Sequence, residues 1–379
     1  MIKKIYIYQL RIPFQFQIIH NLAKRNTGES ILVIAEDDDG ITGCGEGTPR
    51  EYVTGETILK SITTANSLAN NLSTINFSSP ADLIQSLAEF GQSNSIKSSP
   101  SAWCAIETAC LDLFAKKTNL PYWKFFSGSI AHNEFAYSAV IPMLPITIQD
   151  SIFDLISKNK IQNVKLKVDD VVTGVDQVKY ARNKLGSDIN IRVDANAAFT
   201  ALETIDFLKK VKKFSISALE QPVSKENLEA FREIKSNSDD VLIIADESLN
   251  SIEDATKLIN TGACHGFNVR LSKCGGIINC IELCTLAHRN KLIYQIGCHV
   301  GESSILSAAG RHLASICQEY LFLEGSFSKY MLVDDITNEE ISFGYKGRAD
   351  NLDGPGLGVS INYDKLNKWA ELKHTITFK

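Results

Sequence analysis

The chain has 379 residues, of which 44% are hydrophobic and 22% are charged, with a formal net charge of −5. These values are typical of a globular protein with room for two domains, and the lack of a basic stripe argues against nucleic acid as a partner. Nine cysteines, an odd number, favour free thiols in a reducing compartment. No signal peptide or run of roughly 20 apolar residues is present, so we expect a cytoplasmic protein without membrane contacts.

The first 125 residues are predicted to form an α+β unit, with strands first and helices after. Alternation of apolar and polar residues indicates the strands, and an Asp-Gly pair supplies a tight turn between the second and the third. A polar segment between the first two strands, residues 20–29, is predicted to be a mobile loop that closes over a site. The predicted strands are residues 2–10, 30–35 and 41–46, and the predicted helices are residues 55–72, 80–90 and 100–117.

From residue 135 onward, strands alternate with helices at a spacing of about 26 residues. Eight such strands favour a (β/α)8 TIM-type barrel. The alternative, a doubly wound sheet, usually carries a glycine-rich phosphate loop, which this sequence lacks. We therefore predict a capping domain of residues 1–125, completed by a tail at about 350–379, and a barrel of residues 126–349. The predicted barrel strands are 135–141, 163–168, 190–194, 216–220, 242–246, 266–270, 292–297 and 320–324.

Three consecutive predicted strands end in a carboxylate, at Asp194, Glu220 and Asp246, with an equal spacing of 26 residues. The carboxyl ends of barrel strands carry the active site, so these acids are expected to converge. Converging carboxylates repel each other unless a cation lies between them, and an all-oxygen ligand set favours Mg²⁺ over Zn²⁺. Helix N-caps or solvated loop acids are the alternative interpretation.

Lysines flank this predicted metal site on both sides. Lys165 and Lys167 share one face of the second barrel strand, and Lys273 follows the sixth strand, four positions around the ring. Two bases on opposite faces of a bound substrate are what inversion of a carbon centre requires. We predict that Lys167 and Lys273 are this acid/base pair, each with a lowered pKa, and that Lys165 stabilises negative charge on a substrate carboxylate. A solvated loop lysine is the alternative for Lys273.

These residues resemble the enolase superfamily, specifically its muconate-lactonising subgroup. The resemblance spans nearly the whole chain, through Lys-x-Lys at 165 and 167, Asp-x-Asn at 194 and 196, Glu-Gln-Pro at 220–222, Asp-Glu-Ser at 246–248 and Lys-x-Gly-Gly from 273. It implies abstraction of a proton α to a carboxylate, with one Mg²⁺ per subunit stabilising the enediolate. By position, Asp194, Glu220 and Asp246 are then the metal ligands, and Asn196 and Glu247 are outer-shell residues, with Glu247 pairing with a lysine.

Within the subgroup, the resemblance is to dipeptide epimerases of the L-Ala-D/L-Glu type. It implies two-base 1,1-proton transfer at the α-carbon of the C-terminal residue, in murein peptide metabolism, and a homo-oligomer acting on a small dipeptide. Arg25, with Lys24 as alternative, is the predicted partner of an acidic side chain of the substrate, because a guanidinium can donate two parallel hydrogen bonds to one carboxylate. A solvated basic segment is the other interpretation. The remaining predicted substrate-binding residues are Lys165, Ser138, Cys298 and Glu324.

Two departures from the epimerase pattern concern the substrate. The seventh strand continues into a stretch one residue longer, with His299 where Met is common, and the eighth ends in Phe322-Leu323-Glu324 where the epimerases carry Asp-x-Asp. An N-acylamino acid racemase, an o-succinylbenzoate synthase and a muconate cycloisomerase therefore stay open. A dehydratase with a His-Asp base, a Schiff-base aldolase and a non-catalytic binding protein on a decayed barrel fit the motifs less well.

Overall fold

The computed structural model describes residues 2–20, 23–75, 77–94, 96–143 and 146–378. The amino-terminal part is the predicted α+β unit: three antiparallel strands are followed by four helices. Gly40 turns the chain between the second and third strands with a φ of 79°. The elements are β1 (Ile2–His20), β2 (Ala23–Asp37), β3 (Thr42–Gly47), α1 (Glu51–Thr54), α2 (Ile58–Ala69), α3 (Pro80–Ser93) and α4 (Pro100–Lys117).

Helix α4 lies directly on strand β3. Gly43, Gly45 and Gly47 share one face of this strand, and a Cβ atom on them would fall 2.3, 2.1 and 1.9 Å from carbonyl oxygens of α4. Those oxygens belong to every fourth residue of the helix, which forms one helical face. The glycine alternation in β3 is therefore a packing requirement, because no side chain fits between strand and helix.

The prediction of a loop at residues 20–29 is wrong for the described residues of this segment, 20 and 23–29, because they lie in strands. Strands β1 and β2 continue as a paired ribbon, with Ile18 opposite Arg25 and Pro13 opposite Thr27, and the two residues at its tip lie outside the described chain. The polar residues do not prevent strand formation, because a two-stranded ribbon pairs its backbone and leaves polar side chains in solvent. Phe14 and Ile18 on this ribbon are buried.

In the described chain, the barrel sheet contains seven parallel strands, each hydrogen-bonded to the barrel strands that precede and follow it in the sequence, which confirms the predicted fold. The predicted first strand splits into two short strands, of which the first pairs with a strand of the tail and the second joins the barrel sheet. The predicted eighth strand is reduced to Leu323, which bridges Tyr137 and Ile296 and so connects both ends of the sheet. The strands are β4 (Glu134–Ala136), β5 (Ala139–Ile141), β6 (Asn163–Lys167), β7 (Asn190–Asp194), β8 (Ala218–Glu220), β9 (Leu242–Ala245), β10 (Gly266–Val269) and β11 (Ile293–Ile296).

Helices follow the barrel strands, and most begin at a side chain that caps the helix. Asp170, Asn227 and Ser251 each accept a hydrogen bond from a backbone N–H of the first turn, and Thr200 forms a capping box with Glu203. These caps start each helix just beyond a strand end. The helices are α5 (Ile146–Lys158), α6 (Val171–Leu185), α7 (Ala201–Val211), α8 (Leu228–Ser236), α9 (Ile252–Thr261), α10 (Leu271–Cys274), α11 (Ile277–Arg289), α12 (Ser304–Ile316) and α13 (Ser328–Met331).

The tail returns to the amino-terminal sheet. Strand β12 (Arg348–Asp350) pairs with β4, helix α14 (Tyr363–Trp369) follows, and β13 (Ala370–Thr377) pairs antiparallel with β1. The capping sheet therefore has the order β13-β1-β2-β3. The boundaries of the two domains, at residues 125 and 349, stay a prediction. In the described part of the chain, no helix has the length and apolar character that crossing a membrane demands.

Candidate active site

Strand register places the predicted residues side by side at one end of the barrel. Lys167 pairs with Asp194, and Asp194 pairs with Glu220, so three last strand residues form one row across β6, β7 and β8. Asp246 follows directly after β9 and extends this row. Its three carboxylates, Asp194, Glu220 and Asp246, form the acid row. Lys273 lies in α10, after β10, four strands from Lys167. The structure therefore brings the three acids together and puts one lysine on each side of them.

Lys273 is fully buried and held by oxygen acceptors. Its Nζ donates to the backbone oxygens of Asp246, at 2.6 Å, and Asn268, at 2.9 Å, and to Asp246 Oδ1 at 2.9 Å. Arg270, three residues earlier, donates from Nη2 to Asp246 and to Glu220 Oε1, the latter at 3.1 Å. Both cations thus reach carboxylates of the row, and the ammonium group of Lys273 has a defined position.

Lys167 is positioned by an amide. Its Nζ donates to Asn196 Oδ1 at 2.6 Å and lies 3.2 Å from Asp194 Oδ2. Asn196 has a left-handed backbone, with φ at 41°, and its Nδ2 donates to Glu247 Oε1 at 3.0 Å. Glu247 was predicted to pair with a lysine. Its hydrogen bond instead goes to Asn196, which links it to Lys167 indirectly.

Beneath the row, the barrel interior holds a buried ionic network. Lys165 Nζ lies 2.8 Å from Glu324 Oε1, 3.4 Å from Glu220 Oε1 and 3.6 Å from Asp194 Oδ2. Arg192 donates to Glu324 through Nη2 and to Ser138 Oγ through Nη1, the latter at 2.9 Å, while its guanidinium lies over the ring of Phe322 at 4.2 Å. Glu324 is thus engaged by two cations of the barrel itself.

Burial and neighbouring charges act in opposite directions on the pKa values of Glu220 and Lys165, whereas burial and the charges of Asp246 and Asp194 act in the same direction on the pKa of Glu247. Burial opposes ionisation of Glu220, but the positive charges of Lys165 and Arg270 outweigh it and hold the pKa of the Glu220 carboxyl well below its usual range. Burial also opposes the charge of Lys165, and here the carboxylates of Glu220 and Glu324 win and raise the pKa of its ammonium. For Glu247, burial followed by the charges of Asp246 and Asp194 raises the pKa to about 8. Glu220 and Lys165 are therefore ionised, and the attraction between their charges stabilises the network.

The acid row fits a hard divalent cation in donor type and burial. Asp194, Glu220 and Asp246 are fully buried, and Asp194 Oδ2 accepts no hydrogen bond from the described residues. Buried carboxylates need compensating positive charge, and an all-oxygen set suits Mg²⁺. Within the described chain, no three His, Cys, Asp or Glu side chains form a metal-ligand cluster. Lys165 and Arg270 lie among these acids and supply positive charge there.

A cavity opens above the acid row, and both polar and apolar residues line it. Of the remaining predicted substrate-binding residues, Cys298 lines this cavity, whereas Ser138 is buried against Arg192. Arg25 lies over the ring of Tyr52 at 5.6 Å, and the side chain of Lys24 lies outside the described residues. The lining consists of Lys165, Lys167, Asn196, Glu247, Arg270, His299 and Glu324 on the polar side, and of Ile18, Tyr52, Val140, Pro142, Cys298, Val300, Phe327 and Met331.

His299 does not form the His-Asp pair of a dehydratase. Its Nδ1 lies 2.7 Å from the hydroxyl of Thr48, which belongs to the amino-terminal unit. Burial, followed by the charges of Arg270 and Arg50, lowers the pKa of His299 well below its ordinary value. The imidazole is therefore neutral, and Lys273 stays the candidate base on that side.

Two family models match the chain. Residues 7–126 match the amino-terminal domain of mandelate racemase and muconate lactonizing enzyme, and residues 148–365 match the enolase C-terminal domain-like family. The chain belongs to the enolase superfamily. This superfamily member is 31% identical to an N-succinyl-L-Arg/Lys racemase of Bacillus cereus over 97% of both chains.

Epimerases are also among the relatives of this enolase-superfamily chain. An L-Ala-D/L-Glu epimerase of Bacillus subtilis is 26% identical over 88% of this chain and 89% of its own. A dipeptide epimerase of Enterococcus faecalis, crystallised with Mg and the dipeptide L-Leu-L-Tyr, superimposes with a TM-score of 0.87 at 25% identity, covering 95% of this chain and 99% of its own. The chain is thus an enzyme of a superfamily that includes racemases and epimerases.

Several site residues of this superfamily member were missed by sequence reasoning. Arg192 precedes Asp194 by two positions, and Asn268 and Arg270 share one face of β10 and its continuation. Gln295 and Asn268 both donate to Glu220, each at 2.7 Å. The sequence pattern that could have revealed them is the alternation that revealed Lys165 and Lys167, since residues two apart on a barrel strand both face the barrel interior.

Proposed function

We propose that this protein is a Mg²⁺-dependent racemase or epimerase that inverts the α-carbon of an N-acylated amino acid, including the C-terminal residue of a dipeptide. The observation that carries the proposal is the placement of Lys167 and Lys273 on opposite sides of the acid row. One neutral lysine removes the α-proton from one face, and the ammonium of the other delivers a proton to the opposite face. Proton removal from one face with delivery to the other needs a group on each side of the substrate, whereas elimination needs only one base.

The roles of the other residues follow from their contacts. Asp194, Glu220 and Asp246 would hold Mg²⁺, which when bound stabilises negative charge on the substrate carboxylate as the α-proton leaves. Lys165 adds a buried positive charge beside the row. Asn196 orients Lys167 through its 2.6 Å hydrogen bond, and Glu247 holds Asn196.

For the substrate, we retain the dipeptide L-Ala-D/L-Glu, in murein peptide metabolism, as the first candidate. Arg25 is the candidate partner of its side-chain carboxylate, Cys298 contributes to the cavity wall, and Glu324 is the acid retained for an ammonium group. The relatives named as dipeptide epimerases support this choice. The o-succinylbenzoate synthase and muconate cycloisomerase reactions are alternatives that relatives named for them support, but no contact in the site favours either reaction.

One observation favours a second candidate, an N-acylamino acid racemase. Both oxygens of Glu324 contact Lys165, and Arg192 also donates to this carboxylate. Phe322 stacks on Arg192 where a dipeptide epimerase has its first Asp. Little negative charge is thus left for the ammonium group of a dipeptide, and an acylated nitrogen does not need it. The relative named as an N-succinyl-L-Arg/Lys racemase agrees with this candidate.

The test is hydrogen exchange in D₂O with purified protein, Mg²⁺ and a panel of L-Ala-L-Glu, apolar dipeptides and N-succinyl and N-acetyl amino acids. We expect loss of the α-proton signal by NMR and formation of the opposite epimer with α-deuterium. Chelation should stop the reaction, and added Mg²⁺ should restore it. Absence of both exchange and epimer across the panel would show that the proposed function is wrong.

We also propose that the enzyme is cytoplasmic and homo-oligomeric, and that its two domains divide at residues 125 and 349. Sedimentation equilibrium of the purified chain tests the oligomer. Limited proteolysis tests the boundaries, because cleavage concentrates in exposed segments between compact units.

A further inference from the structure

The amino-terminal unit holds the stretch after β11 through a row of contacts. Glu46, Thr48 and Arg50 are alternate residues, and each reaches this stretch. Glu46 accepts from Ser303 Oγ at 2.7 Å, Thr48 Oγ1 lies 2.7 Å from His299 Nδ1, and Arg50 donates to the backbone oxygen of Val300 at 2.6 Å. The stretch that is longer than the epimerase pattern is therefore anchored on the capping unit.

Close backbone packing reinforces these contacts. A Cβ atom on Gly28 would lie 2.9 Å from the backbone oxygen of Gly301, and Gly301 itself has a φ of 86°. The position of Thr48 is fixed from a second side, because its backbone N–H donates to Ser272 Oγ at 2.8 Å, directly before Lys273. Thr48 thus connects the stretch that carries His299 with the segment that carries the proposed base.

His299 lines the active-site cavity and has one polar atom without a hydrogen-bond partner in the described part of the chain. The side chain lines the cavity and is only 3% exposed. Its Nδ1 is engaged by Thr48, whereas Nε2 has no hydrogen-bond partner among the described residues. A buried polar atom without a partner costs about 1–3 kcal/mol. That cost is removed when a bound molecule supplies the partner.

We propose that His299 is a substrate-binding residue whose Nε2–H donates a hydrogen bond to the acyl carbonyl oxygen of the substrate. The assignment rests on the proposed function, because an amide carbonyl is common to dipeptides and N-acylamino acids. When the Thr48 hydroxyl donates to Nδ1, the single proton of the neutral ring resides on Nε2, so Thr48 is the positioning residue that sets the tautomer. Arg270 also lines the cavity, and its positive charge favours a substrate oxygen as the hydrogen-bond acceptor.

The test compares two substrates that differ in one atom. The best N-acyl compound or dipeptide from the exchange panel is paired with its thioamide, because a thiocarbonyl sulfur is a weak hydrogen-bond acceptor. For the native enzyme we expect kcat/KM to be about 3- to 10-fold higher for the amide, as one neutral hydrogen bond provides. His299→Leu should bring this ratio close to one, mainly through KM for the amide.

Two further variants separate hydrogen bonding from folding. His299→Gln retains an N–H donor and should keep most of the amide preference, whereas Thr48→Val should reduce the preference while leaving the imidazole in place. Thermal unfolding of all variants identifies any that fail to fold. An unchanged amide preference in His299→Leu would overturn the inference while the proposed function stands. If the native enzyme exchanges no compound of the panel, the proposed function fails, and this inference fails with it.

Discussion

The Lys165 ammonium and the Glu324 carboxylate form an ion pair of 2.8 Å inside the barrel, with both side chains buried. Arg192 donates to the same carboxylate. Breaking a buried pair is costly, because the partner charge stays behind without compensation. Glu324 therefore connects the end of the barrel sheet to Lys165, the positive charge under the acid row. This structural role is separate from any contact of Glu324 with a substrate.

Glu324→Gln is expected to destabilise the protein by about 3 kcal/mol, since it leaves Lys165 and Arg192 short of one negative charge. The measurement is the shift of the urea unfolding midpoint. Glu134→Gln is the matched control, because Glu134 pairs with Arg348 on the surface, where both side chains are more than half exposed. Such a pair contributes about 0–1 kcal/mol. Equal shifts in the two variants would contradict the structural role of Glu324.

Lys167→Ala and Lys273→Ala should each reduce epimerisation by about 10²- to 10⁴-fold, the usual contribution of a general acid or base. Because the two lysines face opposite sides of the substrate, each variant should retain deuterium exchange with one epimer only, and the epimers should differ between the variants. The measurement is α-proton exchange of each pure epimer in D₂O.

Lys212→Ala is the control for both lysine variants, since Lys212 forms an exposed pair with Asp239. We expect native rates for this variant with both epimers. Retention of exchange with the same epimer in the Lys167 and Lys273 variants would exclude the two-base assignment.

Gly28→Ala should weaken the anchoring of the stretch after β11, because the added Cβ would lie 2.9 Å from the backbone oxygen of Gly301. We expect a loss of stability of about 1–3 kcal/mol, as for overpacking, together with a higher KM. Gly128→Ala is the control, since no described atom beyond its chain neighbours lies within 4 Å of the position that its Cβ would take. A Gly28→Ala variant with the thermal midpoint and KM of the native enzyme would show that the contact is dispensable.

The buried carboxyl of Glu107 should make the free energy of unfolding depend on pH. It accepts a hydrogen bond from the backbone N–H of Ile278, yet burial raises the pKa of its carboxyl from 4.5 to about 8. The folded protein therefore binds more protons than the unfolded chain between these values, and the stability contributed by this group is lost as pH rises from 4.5 through 8. A shift of this size corresponds to roughly 3–5 kcal/mol.

Glu107→Gln cannot ionise, so its stability relative to the native protein should increase from pH 5 to pH 9, as measured by urea unfolding at a series of pH values. Glu282→Gln is the control and should follow the native curve, because Glu282 is exposed on helix α11, the helix that contains Ile278. A constant difference between Glu107→Gln and the native protein would mean that Glu107 does not titrate in this range.

The sequence by itself determined the features that repeat locally. Strand spacing predicted the barrel, and strand ends predicted that Asp194, Glu220 and Asp246 lie in one row, because parallel strands bring their carboxyl ends to the same edge. The period of two placed Lys165 and Lys167 on one face for the same reason. Local patterns were sufficient here, since backbone geometry alone relates these residues.

Only the tertiary structure decided how side chains from distant segments meet. Thr48 and His299 are 251 residues apart, and Lys165 and Glu324 are 159 apart, and no local pattern relates either pair. Residues 23–29 show the same limit, because the polar side chains of this segment suggested a loop, while backbone pairing with β1 makes these residues part of strand β2. Hydrogen bonds and ion pairs between distant residues depend on packing, which the order of residues along the chain does not reveal.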